Sequence, residues 1–213
     1  MRVLIFCNGD IHDYDRHRTF IRPDDFLIGV DGGTNHIDKL GLVPNVILGD
    51  MDSVDKELMN GKFRDVEVKT FPTRKDYTDT ELALFYTEEL KADQVVFLGM
   101  VGNRFDHTLG NVFLLKKAFQ MGLNAFIYTD MHEMYIVDKK ASIKGCKGDL
   151  LSILPLSETV EGIYLRNLEY PLNNATVKMG EAIGISNVFL GDIAEIEVAS
   201  GLLIVIKTNK EAV

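Results

Sequence analysis

Short apolar runs rich in Val, Ile and Phe recur through the first 130 residues, each closed by small or polar positions: RVLIFC (2–7), FLIGV (26–30), VILG (46–49), VEVKTF (66–71), QVVFLG (94–99) and NAFIYT (124–129). Runs of this length and β-branched content read as strands covered on both faces. Helical stretches lie between them. Thr78 to Lys91 is the clearest: Thr78-Asp79-Thr80-Glu81 supplies capping-type residues, and Leu82, Leu84, Phe85 and Leu90 follow at helical spacing. A second helix is predicted from about His107 to Met121, with Leu109, Val112, Phe113 and Phe119 facing a core, and a third begins near Thr34. Strand–helix alternation of this kind predicts a mostly parallel sheet with helices on both faces.

The pattern changes near residue 130. ASIKG, DLLSILPL, VEGIYL, LEYPLN, IAEIEVASG and LLIVIKT are short runs separated by turn residues, with no long helix among them. Ile193, Ile196 and Val198, then Leu202, Ile204 and Ile206, predict half-buried antiparallel strands. The expected organisation is an α/β domain over residues 1–131 and an antiparallel β-sandwich over residues 132–213, with no linker separating them.

Composition narrows the class. Hydrophobic residues make up 46% and charged residues 26% of the 213 positions, a globular balance. The apolar runs are strand-length, too short to cross a bilayer, and Asn8-Gly9-Asp10 interrupts the first before a signal-peptide core forms, so a cytoplasmic protein with no membrane partner is expected. Cys7 and Cys146 have no second Cys or His at metal-ligand spacing, which predicts neither disulfides nor zinc. A net charge of −9 argues against nucleic acid as a partner. It leaves room for a nucleotide held through Mg²⁺.

Candidate chemistry sits at the ends of consecutive predicted strands, where open α/β sheets bind ligands. Asp31-Gly32-Gly33 follows FLIGV and opens a helix; it is either an anion-binding turn or a plain strand-to-helix turn. Asp50 and Asp52, in Gly49-Asp50-Met51-Asp52-Ser53, can share one hard cation or can form an Asx-type turn capping the next helix. Arg74-Lys75-Asp76-Tyr77-Thr78-Asp79-Thr80-Glu81 places basic groups before acids at a helix start. Carboxylates gathered at one sheet edge repel unless a cation lies between them, and the coincidence of positions favours metal binding. In Gly99-Met100-Val101-Gly102-Asn103-Arg104-Phe105-Asp106-His107, two glycines allow close backbone approach to phosphates and Arg104 can bind phosphate oxygens. Asp106 there can be a ligand, a base or a helix cap. His12 and His17 carry no readable signal. No P-loop pattern occurs.

Taken in order, DGG (31–33), GDMDS (49–53), KDYTD (75–79), GNRFDHTLGN (102–111), YPL (170–172), GISN (184–187) and SGLLIVI (200–206) resemble the thiamine pyrophosphokinase family over nearly the whole chain. The resemblance implies pyrophosphoryl transfer from ATP to thiamine with release of AMP. It also implies a homodimer whose sites combine the α/β domain of one subunit with the β domain of the other. It makes Asp50, Asp52 and Asp79 the magnesium-organising acids and Asp106 a further catalytic acid. Asp31, Gly32, Gly33, Lys75, Asp76, Gly102 and Arg104 become the ATP pocket. Ser186, Asn187 and Phe189 become thiamine contacts, Phe189 standing where mammalian members carry tryptophan; Lys75 replaces a glutamine of some members. Two alternatives from other classes are an Asp-x-Asp phosphatase, which would need its acid pair after the first strand, and a non-enzymatic nucleotide-sensing module.

Overall fold

The computed structural model describes residues 1–70 and 77–210. The chain folds as two compact units, Met1–Asp130 and Met131–Val213.

In the first unit the apolar runs become strands β1 (Arg2–Phe6), β2 (Phe26–Val30), β3 (Val46–Leu48), β4 (Glu67–Lys69), β5 (Gln94–Leu98) and β6 (Asn124–Tyr128). They pair in parallel in the order β6-β5-β1-β2-β3-β4. Val3, Leu4, Ile5 and Phe6 are fully buried, as are Val95, Val96, Phe97 and Leu98. Strands covered on both faces need no polar alternation, which is why these stretches read as continuous apolar runs. Around them lie α1 (Tyr14–Phe20), α2 (Gly33–Lys39), α3 (Lys56–Asn60), α4 (Asp79–Glu89) and α5 (Phe105–Gln120). Thr78 is the N-cap of α4, its hydroxyl accepting from the Glu81 amide at 3.3 Å.

Two expectations for the helices are corrected. α1 lies in the polar stretch that showed no pattern; Asp13 caps it by accepting from the Arg16 amide at 2.9 Å, and buried His17 anchors it. On α5, Leu109 and Phe113 are exposed, and Leu115 and Ala118 are the buried positions. The N-terminal half of α5 borders a cleft, so its inner face there carries His107, Thr108, Gly110 and Asn111 rather than apolar groups.

The second unit contains β7 (His132–Val137), β8 (Lys140–Lys144), β9 (Leu150–Pro155), β10 (Thr159–Arg166), β11 (Leu172–Lys178), β12 (Asn187–Val188), β13 (Ile193–Glu197) and β14 (Leu203–Thr208). Two antiparallel sheets, β12-β9-β14-β7 and β11-β10-β13-β8, enclose a core built from Leu151, Ile153, Val160, Ile163, Leu165, Val177, Phe189, Ile196 and Val205. This is the expected sandwich. Ile196 and Val198 enter this core as expected, joined by Ala194, while Ile193 is exposed; further on, Leu203 and Val205 enter it and Ile204 is also buried, whereas Leu202 and Ile206 are only partly covered.

Candidate active site

Strand order in the parallel sheet reverses between β1 and β5. The loops leaving two such strands turn opposite ways and open a crevice at the carboxyl edge. A cleft of about 670 Å³ lies there, with Cys7, Asn8 and Gly9 from the loop after β1 and Gly99 and Met100 from the loop after β5. Asp31, Ser53, the first turn of α4 and residues from Gly102 into α5 complete its walls. The loops are interlocked at glycines. The Gly9 amide donates to the Gly99 carbonyl at 2.7 Å, and a Cβ on Gly33 would stand 2.0 Å from the Phe6 carbonyl oxygen. Gly32 and Gly33 are buried, and neither forms part of the cleft wall; their smallness lets α2 start against β1.

The acids do gather. Asp31 has φ 45°, a left-handed conformation that turns its carboxylate back to accept from the Asp50 amide at 3.1 Å. Partial burial, then the charges of Asp79 and Asp50, push its pKa up to about 6. Asp31 and Asp79 line the cleft. Asp50 and Asp52 are exposed and do not line it; the Asp52 amide donates to the Asp50 carboxylate at 3.0 Å, the Asx-type turn that the sequence also allowed. The cap of the helix that follows is Asp55, not Asp52 or Ser53. Ser53 instead accepts from the Gly32 amide at 3.0 Å. Among the described residues no three His, Cys, Asp or Glu side chains already converge on a metal position.

Arg104 and Asp106 also border the cleft and are joined by a two-pronged ion pair, at 2.7 and 3.3 Å. The guanidinium holds the exposed Asp106 carboxyl below its usual range. Arg104, not Asp106, is the residue at the cap position of α5. Gly102 is clipped by Thr108, whose hydroxyl accepts from its amide and donates to its carbonyl, both at 3.2 Å. Lys75 and Asp76 lie outside the described residues.

The second unit places its three candidates differently. Ser186 is exposed at φ 56°, its amide donating to the Ser152 hydroxyl at 3.0 Å. Asn187 is 2% exposed, and its side chain is committed to the Tyr170 backbone: Oδ1 accepts from the amide at 2.9 Å and Nδ2 donates to the carbonyl at 2.7 Å. Phe189 is fully buried in the sandwich core, its ring 2.8 Å from where a Cβ on Gly145 would stand. The resemblance makes Phe189 a thiamine contact; here the sandwich core covers its ring.

Residues 17–127 match the family model described as thiamin pyrophosphokinase, catalytic domain, and residues 133–203 match the one described as thiamin pyrophosphokinase, vitamin B1 binding domain. The chain belongs to the thiamin pyrophosphokinase family. It is similar to the thiamine pyrophosphokinase of Bacillus subtilis, 29% identical over 190 residues covering 85% of this chain and 86% of that one. It also resembles thiamine pyrophosphokinase 2 of Arabidopsis thaliana, 25% identical over 84% of this chain and 77% of the plant protein. Among solved structures, the Bacillus subtilis enzyme superposes with a TM-score of 0.89 at 26% identity, covering 98% and 99% of the two chains. The thiamin pyrophosphokinase of Geobacillus thermodenitrificans superposes at 0.87 and 27%, over 100% of both. The chain is therefore an enzyme, of a family that makes thiamine diphosphate from thiamine and ATP.

Within this family the catalytic model covers most of the cleft, and the vitamin B1 model covers Ser186, Asn187 and Phe189. Sequence reasoning missed the Asn8-Gly9 wall, reading it only as a break in an apolar run. Its position after a parallel strand was the available signal, the same one that picked out Asp31. Thr80, Asn103 and Asn111 also line the cleft. No periodic pattern marks such neutral polar groups.

Proposed function

We propose that this chain transfers the pyrophosphoryl group of ATP to the hydroxyl of thiamine, releasing AMP, at a magnesium-dependent site completed across a homodimer. The observation that carries the reading is the cleft at the strand-order reversal, with Asp31 and Asp79 on one wall and Arg104 and Asp106 on another. The donors fit a hard divalent cation: all are carboxylate oxygens, and the repulsion from Asp79 and Asp50 that adds to burial in raising the Asp31 pKa is what a cation would relieve. Among the described residues three acids do not converge beforehand, so these would supply one or two carboxylates, Asp79 with Asp31 or Asp50, and the substrate phosphates further oxygens. Asp52 supports Asp50 through its amide.

Bound there, magnesium would neutralise charge on the phosphate oxygens during transfer. The chain's own groups orient the reactants. Asn8, Gly9, Gly99 and Gly102 offer close-packed backbone to a triphosphate, and Arg104 is a fork for its oxygens once it exchanges Asp106 for phosphate. Freed of that partner, Asp106 is available to accept the proton of the attacking hydroxyl. Lys75 and Asp76 belong to the nucleotide pocket by the family pattern alone. Ser186 offers its hydroxyl to thiamine; Asn187 acts mainly by fixing the Tyr170 backbone beside it. The candidate nucleotide and thiamine residues fall on different compact units, which is the support for a site completed by a second subunit. We place the enzyme in the cytoplasm: both cysteines are free thiols, and no helix among the described residues is long and apolar enough to cross a membrane.

Turnover should vanish on chelation of divalent cations and return with added magnesium, and light scattering should give twice the single-chain 23.9 kDa. Full activity in excess chelator would remove the metal from the reading, and an active species of single-chain mass would remove the shared site.

A further inference from the structure

His36, near the middle of α2, is 9% exposed and has both ring nitrogens engaged. Nε2 lies 2.8 Å from the Gly9 carbonyl oxygen, and Nδ1 lies 2.7 Å from the Tyr14 hydroxyl at the start of α1. A carbonyl can only accept, so Nε2 carries the proton; in the neutral ring Nδ1 then accepts from the phenol. Burial lowers the His36 pKa, which keeps the ring neutral at pH 7.

The partner of this histidine is a wall of the cleft. The backbone there is pinned at successive groups: the Gly9 amide to the Gly99 carbonyl and the Asp10 amide to the Val101 carbonyl, both at 2.7 Å. The carbonyl between those amides is the one held by His36. The Gly9 carbonyl and the Asp10 amide belong to one planar peptide unit, so His36 and Val101 hold that unit from both ends; without the histidine it is held at its amide end alone. Loss of the second anchor would let this stretch, which borders the cleft at Asn8 and Gly9, shift from the position that a nucleotide needs. Side-chain packing adds to the pinning, since a Cβ on Gly32 would stand 2.2 Å from Asn8 Oδ1. Neither catalysis nor binding needs the imidazole itself, which does not line the cleft.

We propose that His36, its tautomer set by Tyr14, is a positioning residue that holds the Asn8–Gly9 wall in its nucleotide-binding conformation. The proposal rests on the reading that this cleft takes ATP. It predicts a split between two variants. His36→Gln keeps an amide N–H near the Nε2 position; His36→Asn is too short to reach Gly9. Calorimetric titration of magnesium and ATP into the full chain should show affinity falling roughly threefold to tenfold in His36→Asn and less than about twofold in His36→Gln, the loss expected from one hydrogen bond. His36→Asn, which leaves the Gly9 carbonyl without this donor, should melt lower than His36→Gln, and the KM for thiamine should stay constant in both. Equal ATP affinities in the Asn and Gln variants, or a KM for thiamine that rises along with the loss of ATP affinity, would overturn the proposal. Should His36→Asn not fold, Tyr14→Phe carries the test, with ATP affinity down by about twofold to threefold as the tautomer loosens; an unchanged value would overturn it. A wild-type chain that binds no ATP would overturn the cleft reading and this proposal together, whereas failure of the variants alone leaves the cleft standing.

Discussion

Asp79→Asn is expected to fold normally and to turn over about a hundredfold or more slowly, a loss of about 3 kcal/mol of transition-state stabilisation. The loss is electrostatic in origin. Asp79 borders the cleft and its charge is felt by Asp31, so it belongs to the group of acids that a cation would join. Asn has the same size and lacks the charge. A structural role would have to come from capping α4, but Thr78 is the cap and Asp79 only sits in the first helical turn. There a carboxylate gains about 0.3–1 kcal/mol from the helix dipole, and the variant also relieves repulsion on Asp31. Stability should therefore barely move. Circular dichroism together with single-turnover rates checks both halves. Near wild-type activity in a folded variant would remove Asp79 from the site; loss of the folded spectrum would make it a structural residue.

Phe189→Ala is expected to cost about 3–5 kcal/mol of stability, with no selective effect on thiamine. The ring is fully buried and fills the space beside Gly145. Its backbone is paired as well: the amide donates to the Asp149 carbonyl at 2.9 Å and the carbonyl accepts from Gly148 at 3.0 Å. Truncation removes the ring contacts and leaves a cavity that a rigid sandwich closes only in part. Thermal denaturation and KM values for both substrates, measured well below the melting point, decide the matter. A stable variant with a raised KM for thiamine alone would return Phe189 to the substrate pocket.

How far the sequence carried the account differs from element to element. The inner strands of the parallel sheet were legible because burial on both faces forces uninterrupted Val, Ile and Phe, a composition turns do not share; edge strand β4, with Glu67 and Val68 exposed, lacks that cover. α1 was not, since Tyr14–Phe20 carries no apolar stripe; the helix is held by a cap, by His17 and by Phe20 stacked on Tyr128 at 4.0 Å, which are tertiary facts. The face of α5 was misread because apolar side chains occur around much of the helix, and the cleft claims the polar side of its first half. At the site, glycine-and-acid turns after β2 and β5 pointed correctly to the cleft, whereas the equivalent Asn8-Gly9 after β1 was passed over. Reading Phe189 as a thiamine contact followed the family resemblance, which puts an aromatic residue just after Ser186-Asn187. Alternate residues of an extended segment share a face, so Phe189 goes inward with Asn187, away from the exposed Ser186. Asp50 and Asp52 illustrate a different limit. One Asp-x-Asp sequence serves an Asx turn or a metal equally well, and this chain forms the turn while keeping Asp50 close enough to act on Asp31.

The most direct measurement follows the phosphates themselves. Purified protein is supplied with magnesium, thiamine and ATP labelled at the β-phosphate, and all products are separated. AMP and thiamine diphosphate in equal amounts, with the label in the thiamine product, is the predicted result. Label retained in ADP, thiamine carrying a single phosphate, or free phosphate without any thiamine ester would contradict pyrophosphoryl transfer at this cleft.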